Sequence, residues 1–146
     1  TIEREMKELI AADSNICRNY KLLTSIKGVG PITAIVMLCS TLNFTKITDH
    51  RKFACYCGLA PFEHSSGTSV RGGCHTSSMA NRDIKVQLNR SALIAIRCDP
   101  QLKAYYERKV AEGKHKFSVL NAVRAKIAAR CFAVVRRGTP YVALQI

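Results

Sequence analysis

The sequence predicts an all-α domain with one irregular or hairpin-like loop in its middle. Apolar residues recur at helical spacing along most of the chain, which is typical of amphipathic helices packed around a core. Asp, Asn and Pro stand where these helices would begin, and Gly stands where several would end. The stretch 59–80 lacks this periodicity and is rich in Gly and Ser, and long loops inside a domain are commonly functional.

The periodicity predicts six helices in chain order, at about 2–20, 31–42, 49–58, 81–97, 100–112 and 118–137. Thr48 or Asp49 can cap the third helix, and Ser78 or Asn81 can cap the fourth. Asp99-Pro100 starts the fifth, because proline suits the first helical position. The 146 residues, 47% of them hydrophobic, suffice to bury a single core.

A Gly28-Val29-Gly30 turn joins the first two predicted helices. Glycine permits a tight turn, and Pro31 begins the next helix without wasting a backbone donor. The free N–H groups of such a turn can hold a phosphate, so residues 22–40 predict a helix-hairpin-helix element that grips DNA through Lys27, Gly28 and Gly30. No Gly-Lys-Ser/Thr follows as in the phosphate loop of nucleotide hydrolases, and a plain interhelical turn is the alternative.

The chain is strongly basic. Its 23 Lys and Arg against 10 Asp and Glu give a net charge of +13, and no acidic residue follows Glu112. A polyanion, above all nucleic acid, is the expected partner. No apolar run approaches the roughly 20 residues of a membrane-spanning helix, so a membrane partner is disfavoured. Arg124, Lys126 and Arg130 of the last predicted helix are candidate DNA contacts, with a solvated helix face as the alternative.

The loop of 59–80 places hydroxyl groups beside basic residues. Ser65 and Ser66 precede Gly67 in a segment that glycine and proline keep from being helical. An exposed serine hydroxyl could attack a phosphodiester, although a polar surface turn has the same composition. The candidate phosphate contacts are Arg71, Arg82 and Lys85, and the candidates for proton transfer are His64 and His75.

Seven cysteines, an odd number, are scattered mostly through helical patterns and indicate reduced thiols rather than a disulfide framework. A zinc site from Cys55, Cys57, Cys74 and His75 is disfavoured, because residues two apart on a helix diverge. Carboxylates are also too sparse between Asp13 and Asp99 to suggest a shared metal site. We therefore expect no metal in this part of the protein.

Several motifs together resemble a known family. They are Ile26-Lys-Gly-Val-Gly-Pro-Ile-Thr-Ala34, Phe53-Ala-Cys-Tyr-Cys-Gly-Leu-Ala-Pro61, Ser65-Ser-Gly67, Asn81-Arg82, Gly113-Lys114 and Ala122-Val-Arg124-Ala-Lys126. Their order resembles the C-terminal domain of the insertion-sequence transposases related to Piv-type DNA invertases, some of which act as bridge-RNA-guided recombinases. The resemblance covers roughly residues 20–137.

The resemblance implies a site and a domain organisation. Such proteins pair an N-terminal domain, which resembles a Holliday-junction resolvase and holds acidic metal ligands, with a C-terminal domain whose serine attacks DNA. That serine maps onto Ser66, with Ser65 as the adjacent alternative. Residues 1–20 would then be a linker helix from the N-terminal domain and 21–146 the C-terminal domain. This fragment would be inactive without the upstream domain, which would bind a divalent metal, Mg²⁺, whereas the fragment itself would need no cofactor.

The leading hypothesis is therefore a DNA transposase or site-specific recombinase that cleaves and joins strands through a serine nucleophile. The alternatives are a non-catalytic helix-hairpin-helix module that binds DNA and an RNA-binding or oligomerisation domain. The resemblance implies DNA as partner, a guide RNA in some members, a homo-oligomeric full-length protein and a nucleoid-associated location in the prokaryotic cytoplasm.

Overall fold

The all-α class is confirmed by the computed structural model, which describes residues 1–59, 61–66, 70–76 and 81–143, with the backbone alone for the two middle ranges. Within these ranges a two-stranded hairpin lies between the fourth and fifth of seven helices. The elements are α1 (Ile2–Ala12), α2 (Ser14–Thr24), α3 (Pro31–Ser40), α4 (His50–Tyr56), β1 (Pro61–Ser66), β2 (Val70–Thr76), α5 (Arg82–Cys98), α6 (Pro100–Ala111) and α7 (Lys116–Arg137).

Side-chain caps fix where several helices begin. The Asn81 side chain accepts hydrogen bonds from the backbone N–H groups of the first turn of α5, and Asp49 and Asp99 do the same for α4 and α6. The single helix predicted over 2–20 is wrong in one respect. Asp13 accepts from the backbone N–H groups of Asn15 at 2.9 Å and Ile16 at 3.1 Å, so α1 ends and α2 starts there.

The helix predicted to reach residue 42 ends at Ser40. The next residue, Thr41, donates its hydroxyl to the Met37 carbonyl at 2.7 Å and accepts from the Phe44 N–H at 2.9 Å. Leu42, Asn43 and Phe44 then take left-handed backbone angles, with φ of 48, 55 and 61°. Such angles are unfavourable for non-glycine residues, so the buried Thr41 cap stabilises this turn against the helical alternative.

Helix α7 lies at the centre of the packing. It contacts α2, α4, α5 and α6, while α3 packs against α2 and α5. The Phe132 ring of α7 lies 5.4 Å from the Phe53 ring and 4.9 Å edge-on from the Phe44 ring, measured between centroids. The largest fully buried side chains around it include Leu23, Ile26, Met37, Leu88, Leu102, Val123 and Ile127.

The serine-bearing segment is a hairpin across 61–76. β1 and β2 pair antiparallel, with Pro61 opposite Thr76, Ser65 opposite Arg71 and Ser66 opposite Val70. The register shifts near His64, where Gly72 and Gly73 of β2 together stand opposite a single residue of β1. This is a β-bulge, and glycine is common in bulges because its backbone is the least restricted.

The Gly-x-Gly turn between α2 and α3 is pressed against α5. Gly28 has a φ of +94°, and a Cβ atom placed on it would lie 2.7 Å from the Ser91 carbonyl oxygen and 2.9 Å from the Ala95 Cβ. Beside this contact, the buried hydroxyls of Thr33 and Ser91 share a hydrogen bond of 3.0 Å. The glycine therefore serves a close helix approach as well as a turn.

We expect Gly28→Ala to lower the free energy of unfolding by roughly 2–4 kcal/mol, because it adds a steric clash to an unfavourable backbone angle. Gly113→Ala is the matched control, since Gly113 has a φ of +90° but open space where its Cβ would be. It should lose only about 1 kcal/mol. Urea unfolding of both variants measures the difference, and equal losses would show that the contact with α5 adds nothing.

Candidate nucleic-acid interface

The base of the hairpin is held by polar contacts from two helices, α5 and α7. The backbone N–H of Asn81, just before α5, donates to the carbonyl of Tyr56 at 3.1 Å. From α5, Lys85 Nζ donates to the Gly58 carbonyl at 3.2 Å, and from α7 Asn121 Nδ2 donates to the Leu59 carbonyl at 2.8 Å. The points where the chain leaves and rejoins the helices are therefore fixed side by side.

The two candidate nucleophiles lie at the far end of this hairpin. Ser65 and Ser66 are the last residues of β1, and Arg71 stands directly across the ladder from Ser65. At roughly 3.3 Å per residue, β1 spans about 17 Å from Pro61 to Ser66. Arg71 is the cation that the register places opposite Ser65. Lys85 instead contacts Gly58, before β1 begins.

A pair of half-buried cations stands at the base. Arg124 of α7 donates to Asn89 Oδ1 through Nε at 3.2 Å and Nη2 at 2.8 Å, and its Nη1 lies 3.4 Å from Asn121 Oδ1. Two amide oxygens thus orient the guanidinium, and within the described residues no carboxylate forms an ion pair with it or with Lys85. We call Lys85, Asn89, Asn121 and Arg124 the base cluster.

The surroundings of Lys85 and Arg124 in the base cluster disfavour the charged forms of both side chains. Burial lowers the pKa of Lys85, and the neighbouring Arg124 charge lowers it further. Burial also lowers the pKa of Arg124. Two like charges that have lost part of their hydration are stabilised by an anion, so this arrangement suits a phosphate.

Two of the three residues predicted to contact DNA at the Gly-x-Gly turn lie on its open side. Lys27 is exposed, and a Cβ on Gly30 would meet nothing within 4 Å. Gly28 instead faces α5, so its side of the turn is closed to a ligand. The helix-hairpin-helix assignment stays a prediction, with Lys27 and Gly30 as its accessible residues. Arg82, the first residue of α5, is also exposed.

The three cations predicted on the last helix do not form one surface. Arg124 contacts α5, whereas Lys126 lies 4.6 Å from the centre of the Tyr105 ring of α6. Arg130 is held in an ion pair at 2.7 Å with the buried Asp99 and also donates to Gln101 at 2.7 Å. These contacts give Arg130 a structural role that its sequence context did not indicate.

The zinc alternative gains no support from the cysteines. Cys55 is exposed and Cys57 is buried, and burial raises the pKa of Cys57 to about 11, so that its thiol stays protonated. Cys74, His75 and His64 lie in the strands, whose side chains are outside the described residues. Among the side chains that are described, no three of His, Cys, Asp or Glu cluster to hold a metal ion.

Sequence reasoning missed part of the base cluster. Asn121 was not singled out, although it lies one helical turn before Arg124 and could be expected to share its face. Asn89 lies four residues after Lys85 and so shares its helix face, but its partner 35 residues away could not be predicted from spacing. Only the packing of α5 on α7 joins the two asparagines around Arg124.

Comparison with known proteins identifies the family. The model of the "Transposase IS116/IS110/IS902 family" matches residues 20–107. This is more than half of the chain, and the chain therefore belongs to that family, as the resemblance implied.

Individual relatives agree with this assignment. The chain is 39% identical over 82% of its length to an uncharacterised 43.6 kDa protein of insertion element IS110 from Streptomyces coelicolor. It is 23% identical over 96% of its length to the pilin gene-inverting protein of Moraxella bovis. It spans 29% of the first relative and 44% of the second, less than half of either protein.

Across the described part of the chain, no helix combines the length and the apolar character that crossing a membrane requires.

Proposed function

We propose that this chain is the DNA-joining part of a transposase or site-specific recombinase, in which Ser66 of the hairpin is the nucleophile. The observation that carries the proposal is the register of the hairpin, which ends β1 with Ser65 and Ser66 and sets Arg71 across from Ser65, the neighbour of Ser66. Membership of the transposase family and the net charge of +13 support it. Ser65 is the alternative nucleophile.

The proposed step exchanges one phosphate ester for another. The Ser66 Oγ attacks the phosphorus, its proton passes to a base, and the bond from phosphorus to one DNA sugar oxygen breaks. That oxygen takes up a proton and leaves as a hydroxyl. A hydroxyl of a second DNA end then attacks the phosphoserine and releases Ser66, so the strands join without ATP. Arg71 would stabilise the charge that develops on the phosphate, and His64 or His75 would accept the proton.

The rest of the chain would hold the DNA. The open side of the Gly-x-Gly turn offers Lys27 and the backbone of Gly30 to a phosphate, and exposed Arg82 extends the basic surface at the start of α5. These groups contact backbone rather than base edges, so they would bind DNA without reading its sequence.

The divalent metal implied by the family does not fit the described residues, which offer no cluster of metal ligands. We therefore propose that acidic residues elsewhere in the complete protein bind this metal. The described residues support roles in positioning DNA and presenting the serine, and we derive no step through a metal from them.

Covalent trapping tests the proposal. The full-length protein is incubated with DNA that carries the ends of its element and with a divalent metal, and the denatured products are digested and analysed by mass spectrometry. We expect a nucleotide remnant on the peptide that contains Ser65 and Ser66. A remnant on a tyrosine or on a serine outside the hairpin would overturn the assignment.

The same experiment decides the competing function. An active protein that exchanges strands without any denaturation-resistant adduct would exclude the serine mechanism. The chain would then be a non-catalytic module that binds DNA through its Gly-x-Gly turn and basic surface.

A further inference from the structure

The base cluster has hydrogen-bond donors to spare. Lys85 Nζ uses one contact, to the Gly58 carbonyl, and Arg124 directs its bonds to Asn89 and Asn121. An ammonium and a guanidinium both carry more N–H groups than these contacts use. Free donors on two adjacent cations match the several oxygens of a phosphate.

The cluster is also rigidly built. Lys85 and Asn89 are one turn apart on α5, and Asn121 and Arg124 are nearly one turn apart on α7, and these two helices pack directly on each other. The asparagine amides hold the guanidinium in place, so little side-chain entropy remains to be lost when a ligand binds. Surface lysines and arginines without such partners lose more.

An internal role alone does not explain Arg124. Lys85 and Asn121 contact carbonyls at the hairpin base directly, but Arg124 contacts only the two asparagines. A neutral side chain with N–H groups could donate to the same amide oxygens without placing a second half-buried charge beside Lys85. The described side chains that contact this charge include no acid, which leaves an external anion as the natural partner.

We propose that Lys85 and Arg124, oriented by Asn89 and Asn121, bind a phosphate of the DNA backbone away from the reacting one. This inference rests on the proposed function for the identity of the DNA. Because Ser66 ends β1, whereas the cluster contacts Gly58 and Leu59 ahead of that strand, the gripped phosphate is a different one from the attacked phosphate. The cluster is a positioning site and takes no part in bond breaking.

The dependence of binding on salt provides the first test. Affinity of the full-length protein for a random-sequence duplex is measured over a range of salt concentrations for wild type, Arg124→Gln and Lys85→Gln. Each cluster variant should bind about tenfold more weakly. Each should also reduce the slope of log affinity against log salt by roughly 0.9. Lys103→Gln removes the same charge from an exposed side chain of α6 and is the matched control, so it should leave both values near wild type.

A second measurement locates the phosphate. Single neutral methylphosphonates are placed along DNA that carries the element ends, and binding is measured for each position. Wild type and Lys103→Gln should lose about tenfold in affinity at one position other than the joined phosphate. Arg124→Gln should lose nothing further there, because the same contact is already absent.

The outcomes separate this inference from the proposed function. An adduct on the hairpin together with identical salt slopes for Arg124→Gln and Lys103→Gln would overturn the phosphate site and leave the serine mechanism standing. The expected slopes without any adduct would do the reverse. Thermal unfolding identifies a variant that fails to fold, and Lys85→Gln then replaces Arg124→Gln as the decisive variant.

Discussion

Ser66→Ala is expected to abolish the covalent protein–DNA adduct and to lower the rate of strand exchange by at least about 1,000-fold, because in the proposed mechanism the phosphoserine bond forms on the Ser66 hydroxyl. The substitution removes a single oxygen at the end of β1 and keeps the register with Val70. DNA binding should change little, since that affinity arises mainly from phosphate contacts by cations. The rate and the adduct are measured on the same DNA ends.

Ser65→Ala is the matched control for Ser66→Ala. It makes the same chemical change one residue earlier in β1, opposite Arg71. We expect it to keep the adduct and to lower strand exchange far less. If the adduct is instead lost in Ser65→Ala and kept in Ser66→Ala, the nucleophile is Ser65. If both variants keep it, the hairpin serines are not the nucleophile.

Asp99→Ala is expected to lower the free energy of unfolding by about 3–5 kcal/mol. Asp99 is 2% exposed, binds Arg130 at 2.7 Å and caps α6 by accepting from the N–H groups of Gln101 and Leu102. Its removal leaves the mostly buried Arg130 charge unpaired and the first turn of α6 uncapped. Urea unfolding measures the loss.

Glu112→Ala provides the contrast for Asp99→Ala. Glu112 forms an ion pair with Lys109 at 2.8 Å, but the Glu112 side chain is 45% exposed and the Lys109 side chain is 32% exposed to solvent. Solvent screens such surface pairs, so the variant should show little measurable change. A similar loss in both variants would mean that burial does not decide the strength of the Asp99 pair.

The ion pair between Asp99 and Arg130 also predicts that stability depends on pH. Burial raises the pKa of Asp99, but the hydrogen bonds from Arg130 and the α6 backbone outweigh it and hold the pKa below its ordinary 3.8. As pH falls, the unfolded chain therefore takes up the proton first. The stabilisation by this pair is fully present above the pKa that Asp99 has in the unfolded chain. It is lost as pH falls through the lower pKa that Asp99 has in the folded protein. Between pH 7 and about pH 2.5, wild type should lose more stability than Asp99→Asn, and an equal loss would contradict the shift.

Much of the helical architecture follows from local sequence. Asp49 and Asn81 cap α4 and α5 as their positions predict, and Pro100 begins α6 after Asp99. A capping side chain contacts N–H groups only two or three residues ahead, so the signal lies within a few positions. Asp13 caps α2 in the same way, but the break between α1 and α2 was not predicted, because the apolar pattern continues through it.

The candidate site was predictable only in part. The hairpin serines and their glycines stand out from the helical pattern, and the family motifs pointed to them. The separation of Ser66 from Lys85 could not be predicted, because a loop without assigned strands has no defined length in space. Pairing along β1 and β2 extends the segment and puts Ser66 at the end of β1, whereas Lys85 of α5 contacts Gly58, before the hairpin begins.

By itself the sequence determined the helical class, most helix starts, the basic character and the serine motif, since these depend on neighbouring residues or on composition. Tertiary structure decided the contacts between distant residues: Gly28 against Ser91, Arg130 with Asp99, and Arg124 between two asparagines. Such contacts depend on which faces of α5, α6 and α7 pack together. Helical periodicity shows that a face is apolar, but it does not specify the partner against which that face is buried.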